Sequence, residues 1–151
     1  MEEFRSDEEI LQFAMAKEVA AHQLYADLAR QMDNATMRLL FENFAKEELR
    51  HKAALELEVM KRGLVVPAAI DVDDLDQTDV MLAIDPELGV DYKNALILAI
   101  NKEAKSFRLY VELAAIVKDK QSRETLLSLA QEEAKHKLRF EIEYGAATKG
   151  K

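Results

Sequence analysis

Two copies of Glu-x-x-His, Glu48–His51 and Glu133–His136, and two lone glutamates, Glu18 and Glu103, are the residues whose types and spacing could do chemistry. Glu18 shares a helical face with Ala14, Ala21, Tyr25 and Leu28, and Glu103 with Ala99, Ile100, Phe107 and Tyr110. Glu48 and His51 lie between Phe44 and Leu55 on a second stripe. Glu133 and His136 repeat that arrangement between Leu129 or Ala130 and Phe140. Burying an unpaired carboxylate costs several kcal/mol, and no lysine or arginine stands on these stripes as a partner. Metal ions are the natural compensation. Four carboxylates and two imidazoles suit two first-row divalent ions, with two bridging carboxylates and one terminal carboxylate plus one histidine on each. Oxygen and imidazole donors without sulfur favour iron or manganese, and zinc can occupy such a site adventitiously. The rival reading makes all six solvated helix charges, glutamate being common on surfaces.

Height along a bundle weighs against that rival. Glu18 lies 15 residues before Asp33, and Glu48 lies 15 residues after it. Asp33-Asn34 is a polar break suited to a tight helix–helix turn, so in an antiparallel hairpin the two glutamates are level. Glu103 and Glu133 are spaced in the same way about Lys118. Sliding the first hairpin onto the second by 85 positions gives 16 identities in 52 ungapped pairs starting at residue 10. Chance would give roughly three or four, so the chain reads as an internal duplication. The matches include Lys17-Glu18 with Lys102-Glu103, Tyr25 with Tyr110, Arg38 with Arg123, Glu47-Glu48 with Glu132-Glu133 and His51 with His136. Packing alone has no reason to keep glutamate, histidine and tyrosine in register.

The elements follow from periodicity and breakers. With 151 residues the chain has the length of one ordinary domain, and four glycines and two prolines among abundant Ala, Leu, Glu and Lys tilt it toward helix. Helices are expected over about 7–32, 35–62, 91–118 and 121–144. Ser6 to Glu9 reads as a capping box opening the first, Gly63 as the stop of the second and Gly145 as the stop of the fourth. Residues 63–90 lose helical periodicity and read as a long crossover, with Asp85-Pro86-Glu87 able to cap a short turn. Residues 146–151 read as a flexible tail. Short turn, long crossover, short turn is the all-α, ferritin-like variant of the four-helix bundle, here as two duplicated antiparallel hairpins in a single domain.

Composition removes other classes. No cysteine means no disulfide, thiolate metal site or cysteine nucleophile within these residues. A formal charge of -8 argues against nucleic acid or an anionic membrane as partner. No apolar run approaches the ~20 residues of a membrane span, and the first residues have no signal-peptide pattern, so a cytoplasmic protein is expected. The acids from Asp71 to Asp79 do not fit a calcium loop, because Asp79 falls where the obligatory glycine belongs.

The paired Glu-x-x-His motifs and the lone glutamates, each followed seven residues on by a tyrosine, resemble the rubrerythrin branch of the ferritin-like di-iron carboxylate proteins over about residues 8–145. The resemblance implies two iron ions held by Glu18, Glu48, His51, Glu103, Glu133 and His136, with no catalytic residue beyond these ligands. It implies an oxidoreductase that reduces peroxide or dioxygen, and a homo-oligomer, commonly a dimer. Rubrerythrins proper append a cysteine-ligated rubredoxin domain. This sequence has no cysteine, so an external electron-donor protein is expected. They also carry an extra glutamate about one turn from the third-helix ligand, where this chain has Ile100, Ser106 and Phe107.

Other readings stay open at this point. Ferroxidase or iron handling would make iron the substrate, and a helical interaction protein would keep only a structural metal site. Tyr25 and Tyr110 are either plain core aromatics or hydrogen-bond partners of the ligand carboxylates. His22, one turn from Glu18, is either a partly buried, hydrogen-bonded histidine in the second layer or a further ligand. Glu47 and Glu132 point roughly a hundred degrees from the ligands and read as surface or second-layer ion pairs.

Overall fold

The computed structural model describes residues 4–64 and 91–149, and these form four helices. They are α1 (Asp7–Arg30), α2 (Ala35–Lys61), α3 (Tyr92–Ile116) and α4 (Lys120–Lys149). Local chemistry sets most of their ends. Ser6 caps α1 by accepting from the Glu9 amide at 3.2 Å, while the Glu9 side chain accepts from the Arg5 amide rather than closing the box on Ser6. Asn34 caps α2 through the Thr36 and Met37 amides, and Asp91 caps α3 through Asn94. Gly63 takes φ 73°, the left-handed conformation that glycine adopts without strain. The Leu64 amide then reaches back to Val59 and the Gly63 amide to Met60, a Schellman stop.

Within each hairpin the backbones run close together, and between hairpins they stand further apart, α1 facing α3 and α2 facing α4. The core is two apolar layers. One joins the C-terminal half of α1 (Ala21 to Ala29), with Met32 just beyond it, to the N-terminal parts of α2 and α3 and to Phe140 of α4. The other joins Ile10 to Met15 of α1 to the C-terminal parts of α2 and α3 and to Leu126 to Ala130 of α4. α1 and α3 are therefore antiparallel, as a twofold between the hairpins requires. Leu64 packs on one layer and Tyr92 on the other, so the described chain breaks off and resumes at opposite ends of the bundle.

The duplication is visible in bonds as well as sequence. Arg38 donates to the Met32 carbonyl and its repeat partner Arg123 donates to the Val117 carbonyl, each satisfying the end of the preceding helix. Asp7 breaks the symmetry. Its carboxylate accepts from the Lys118 and Asp119 amides at 2.9 and 3.0 Å and pairs with Arg62 at 3.1 Å, tying the start of α1 to the far turn.

Two expectations are corrected. α4 does not stop at Gly145 but runs to Lys149, so residues 146–149 are helical rather than a loose tail. Gly145 has no left-handed φ, and nothing forces a break there. Phe107, placed on the inward stripe of the third helix, is 38% exposed. Of the crossover expected over residues 63–90, all but Gly63 and Leu64 lies outside the described residues, as do the short turn at Asp85-Pro86-Glu87 and the acids from Asp71 to Asp79. Among the described residues no helix is long and apolar enough to cross a membrane.

Candidate metal centre

Between the two apolar layers lies a polar one. Each helix contributes to it at mid-length: Glu18 from α1, Glu48 and His51 from α2, Glu103 from α3, and Glu133 and His136 from α4. A three-residue spacing on a helix puts Glu48 and His51 on one face a turn apart, and likewise Glu133 and His136. None of the six is more than 7% exposed.

The donors converge as two overlapping sets. Glu18, Glu48, His51 and Glu133 have ligand atoms within 4.8 Å of one another, and so do Glu48, Glu103, Glu133 and His136. Glu48 and Glu133 are common to both. Each remaining pair, Glu18 with His51 and Glu103 with His136, belongs to one set only. Nδ1 of His51 lies 3.2 Å from Glu18, 3.3 Å from Glu48 and 3.0 Å from Glu133. Nδ1 of His136 lies 3.3 Å from Glu103, 3.5 Å from Glu133 and 3.6 Å from Glu48. One ring nitrogen has at most one hydrogen to give and cannot satisfy three carboxylates. The two imidazole rings are nearly parallel, with centroids 5.3 Å apart.

Orphaned lone pairs show what the layer lacks. Neither oxygen of Glu48 nor of Glu133 has a hydrogen-bond partner, and Oε1 of Glu103 and Nδ1 of His136 are also unsatisfied. Glu58 is the contrast. It is equally buried, yet Ser122 and Thr125 hydroxyls donate to its two oxygens at 3.4 and 3.0 Å. A buried carboxylate is tolerable with such donors and costly without them. The unsatisfied atoms are all oxygen or imidazole nitrogen and point at one small volume, so the residues present fit metal binding.

In the metal-free protein, protons take up that role. Burial, reinforced by the neighbouring Glu133 charge, pushes the Glu18 carboxyl up to about 7 and Glu103 to about 8, against the nearby histidines and the tyrosine bonds that pull them down. Burial and the charges of Glu18, Glu133 and Glu103 raise Glu48 as well. Burial alone would lower the imidazoles, but their carboxylate partners overcome it and lift His51 to about 10 and His136 to about 9. Glu133 goes the other way, to about 2: burial is outweighed by contacts to both histidines.

A second layer supports the first. The Tyr25 hydroxyl donates to Glu103, and the Tyr110 hydroxyl donates to Glu18 at 2.7 Å. Each tyrosine therefore serves the glutamate of the other hairpin, and the two bonds exchange under the repeat. His22 stands apart: its Nδ1 pairs with the Ala45 carbonyl at 2.9 Å, tying α1 to α2 rather than to any of the four carboxylates. Glu47 and Glu132 form ion pairs one turn on, with Arg50 and Lys135. The clamp made by Asp7 and the buried Glu58 were not anticipated. Glu58 carried a weak signal, because it recurs at Glu143, but Glu143 bonds Tyr92 and Arg139 instead.

An all-α, ferritin-like four-helix bundle around a buried carboxylate–histidine cluster is thus the class that fold and site define. The rubrerythrin family profile matches residues 9–144, and the chain belongs to that family. Among solved structures the chain is similar to "Hypothetical Protein Pfu-1136390-001" from Pyrococcus furiosus, with a TM-score of 0.67 and 21% identity. That match covers 93% of this chain and 89% of the other. No curated protein matches the chain.

Proposed function

We propose that the protein is a non-haem di-iron oxidoreductase of rubrerythrin type that reduces peroxide or dioxygen with electrons from a separate donor protein. The observation that carries this reading is the pair of four-donor sets sharing Glu48 and Glu133. Glu48 and Glu133 would bridge the two metals, Glu18 with His51 would complete one position and Glu103 with His136 the other. Four negative carboxylates against two doubly charged cations leave the buried layer neutral, which is what an apolar surround demands. Iron held there would supply one-electron chemistry at each position, and the reduction of a peroxide to two waters calls for two electrons and two protons. A separate donor protein would supply the two electrons.

The chain's own residues do the rest. Tyr110 and Tyr25 fix the terminal carboxylates by hydrogen bonding, so that Glu18 and Glu103 present their free oxygens to the metals. The apolar layers above and below exclude water and competing ligands. The same tyrosine hydroxyls are the groups placed to hold a proton beside the carboxylates.

The test is metal analysis of protein purified without air, followed by optical spectra on adding peroxide and then oxygen. Two iron ions per chain and stoichiometric oxidation by peroxide are expected, and His51→Ala with His136→Ala should abolish both tight iron binding and the spectral change. Undiminished activity in that double variant would refute the site. Continuous turnover of added ferrous iron into a protein-held mineral would replace this reading with an iron-handling one.

A further inference from the structure

Where α2 and α4 face solvent, a second cluster of metal-binding side chains lies outside the six buried donors. Glu47 and Glu132 are repeat partners on α2 and α4, the two helices that face each other between the hairpins. A carboxylate oxygen of each and a ring nitrogen of His136 all lie within 4.8 Å of one another. Two like charges held this close repel, and packing gives no reason for it, because both glutamates are only half-buried. His136 is different. It is 7% exposed, its Nδ1 faces the inner carboxylates without a hydrogen bond, and its ring belongs to the inner cluster as well as the outer one. A cavity of about 570 Å³ between α2 and α4 borders this cluster, with Phe44, Glu47, Arg50, Lys135 and His136, though not Glu132, in its wall.

We propose that Glu47, Glu132 and His136 form an outer, exchanging site for a divalent cation such as ferrous iron or manganese, through which metal reaches the buried cluster. The inference rests on reading that cluster as a metal centre. Two carboxylate oxygens and one imidazole nitrogen leave the remaining positions of such an ion to water, so it sheds its hydration shell in stages. The site is half-solvated and has three protein donors where each inner set has four, so it binds more weakly and releases inward. Arg50 and Lys135 do not close it. Their pairs with Glu47 and Glu132 are exposed, one turn apart, and easily displaced. The paired acids also raise the local cation concentration at the mouth.

Metal-free protein would be titrated anaerobically with manganese, followed by calorimetry and by the magnetic resonance of the free ion, and cobalt loading would be timed by its visible absorbance. The native chain should take up two tight equivalents and one weaker one, the weaker held by Glu47, Glu132 and water once His136 serves the inner ion. Glu47→Gln with Glu132→Gln should lose the weak equivalent, keep both tight ones and load at least about tenfold more slowly. Glutamine keeps the size of these half-exposed side chains, and an unchanged helical spectrum confirms the fold. Two tight equivalents with unaltered loading in the variant would overturn the outer site alone. Failure of the native chain to take up any tight equivalent would overturn it together with the inner cluster.

Discussion

The tyrosine bonds divide the six donors into two halves that a substitution can address separately. Tyr25 supports Glu103, which shares a set with His136, and Tyr110 supports Glu18, which shares a set with His51. Removing a hydroxyl that orients a ligand typically costs roughly ten- to a hundredfold in metal affinity. Tyr25→Phe should therefore weaken one metal position and leave the other tight, splitting into two the single phase in which the native protein fills its two tight positions. Tyr110→Phe should do the same at the opposite position. Equal weakening of both positions by either variant would contradict this division. That these six side chains gather in one buried layer was legible in the sequence because a carboxylate on an apolar stripe violates the helical pattern, and the duplication repeats the violation. The crossed pairing of the tyrosines was not, because it depends on how one hairpin lies against the other. The same holds for Asp7, a first-turn acid that reads as a helix-end charge until the distant Lys118–Asp119 turn folds onto it.

At the scale of the helices, two glycines that look alike in sequence behave differently. Gly63 sits at φ 73° as the C-terminal stop of α2, and a Cβ there would meet nothing within 4 Å. Its replacement is therefore a matter of backbone strain alone, and Gly63→Ala should destabilise the fold by about 1–2 kcal/mol. Gly145 lies inside α4, and a Cβ there would also point into open space. There glycine only weakens the helix, so Gly145→Ala should stabilise by roughly 0.5–1 kcal/mol. Thermal unfolding of the two variants checks both signs, and a loss of stability in Gly145→Ala would mean that the last turns of α4 do not persist in solution. Helix number, order and N-terminal caps follow from local chemistry, and the sequence carries that chemistry openly at Ser6, Asn34 and Asp91. A glycine is ambiguous, since it marks a stop only when the following residues satisfy the exposed carbonyls. After Gly63 the Leu64 amide does so, whereas after Gly145 the helix simply continues.

For the molecule as a whole, the buried layer links stability to pH with opposite signs in the metal-free and metal-loaded forms. Folding raises Glu18 from 4.5 to about 7, Glu103 from 4.5 to about 8, His51 from 6.5 to about 10 and His136 from 6.5 to about 9. Each of these groups holds its proton more tightly folded than unfolded. Their contribution is therefore complete at low pH and is lost as pH rises, first through the carboxyl range and then through the imidazole range. Glu133 has the reverse sign, but its window runs from about 2 to 4.5, too acidic to matter near neutrality. The metal-free protein should thus lose stability steadily between about pH 5.5 and 8.5, by a total on the order of several kcal/mol. Metal binding requires the same donors without their protons, so affinity, and the stability it confers, must rise over that interval. The gain in Tm on loading with manganese should consequently grow by more than about 5 °C across it. The His51→Ala, His136→Ala double variant should show little of this divergence, because it no longer holds metal tightly, while its metal-free form should still lose stability with rising pH through Glu18 and Glu103, which burial keeps raised. Melting curves of both forms at a series of pH values decide the matter: a metal-free Tm that is flat or climbs with pH would mean that the four carboxylates do not share a dry layer, and the physical case for two cations would fail with it.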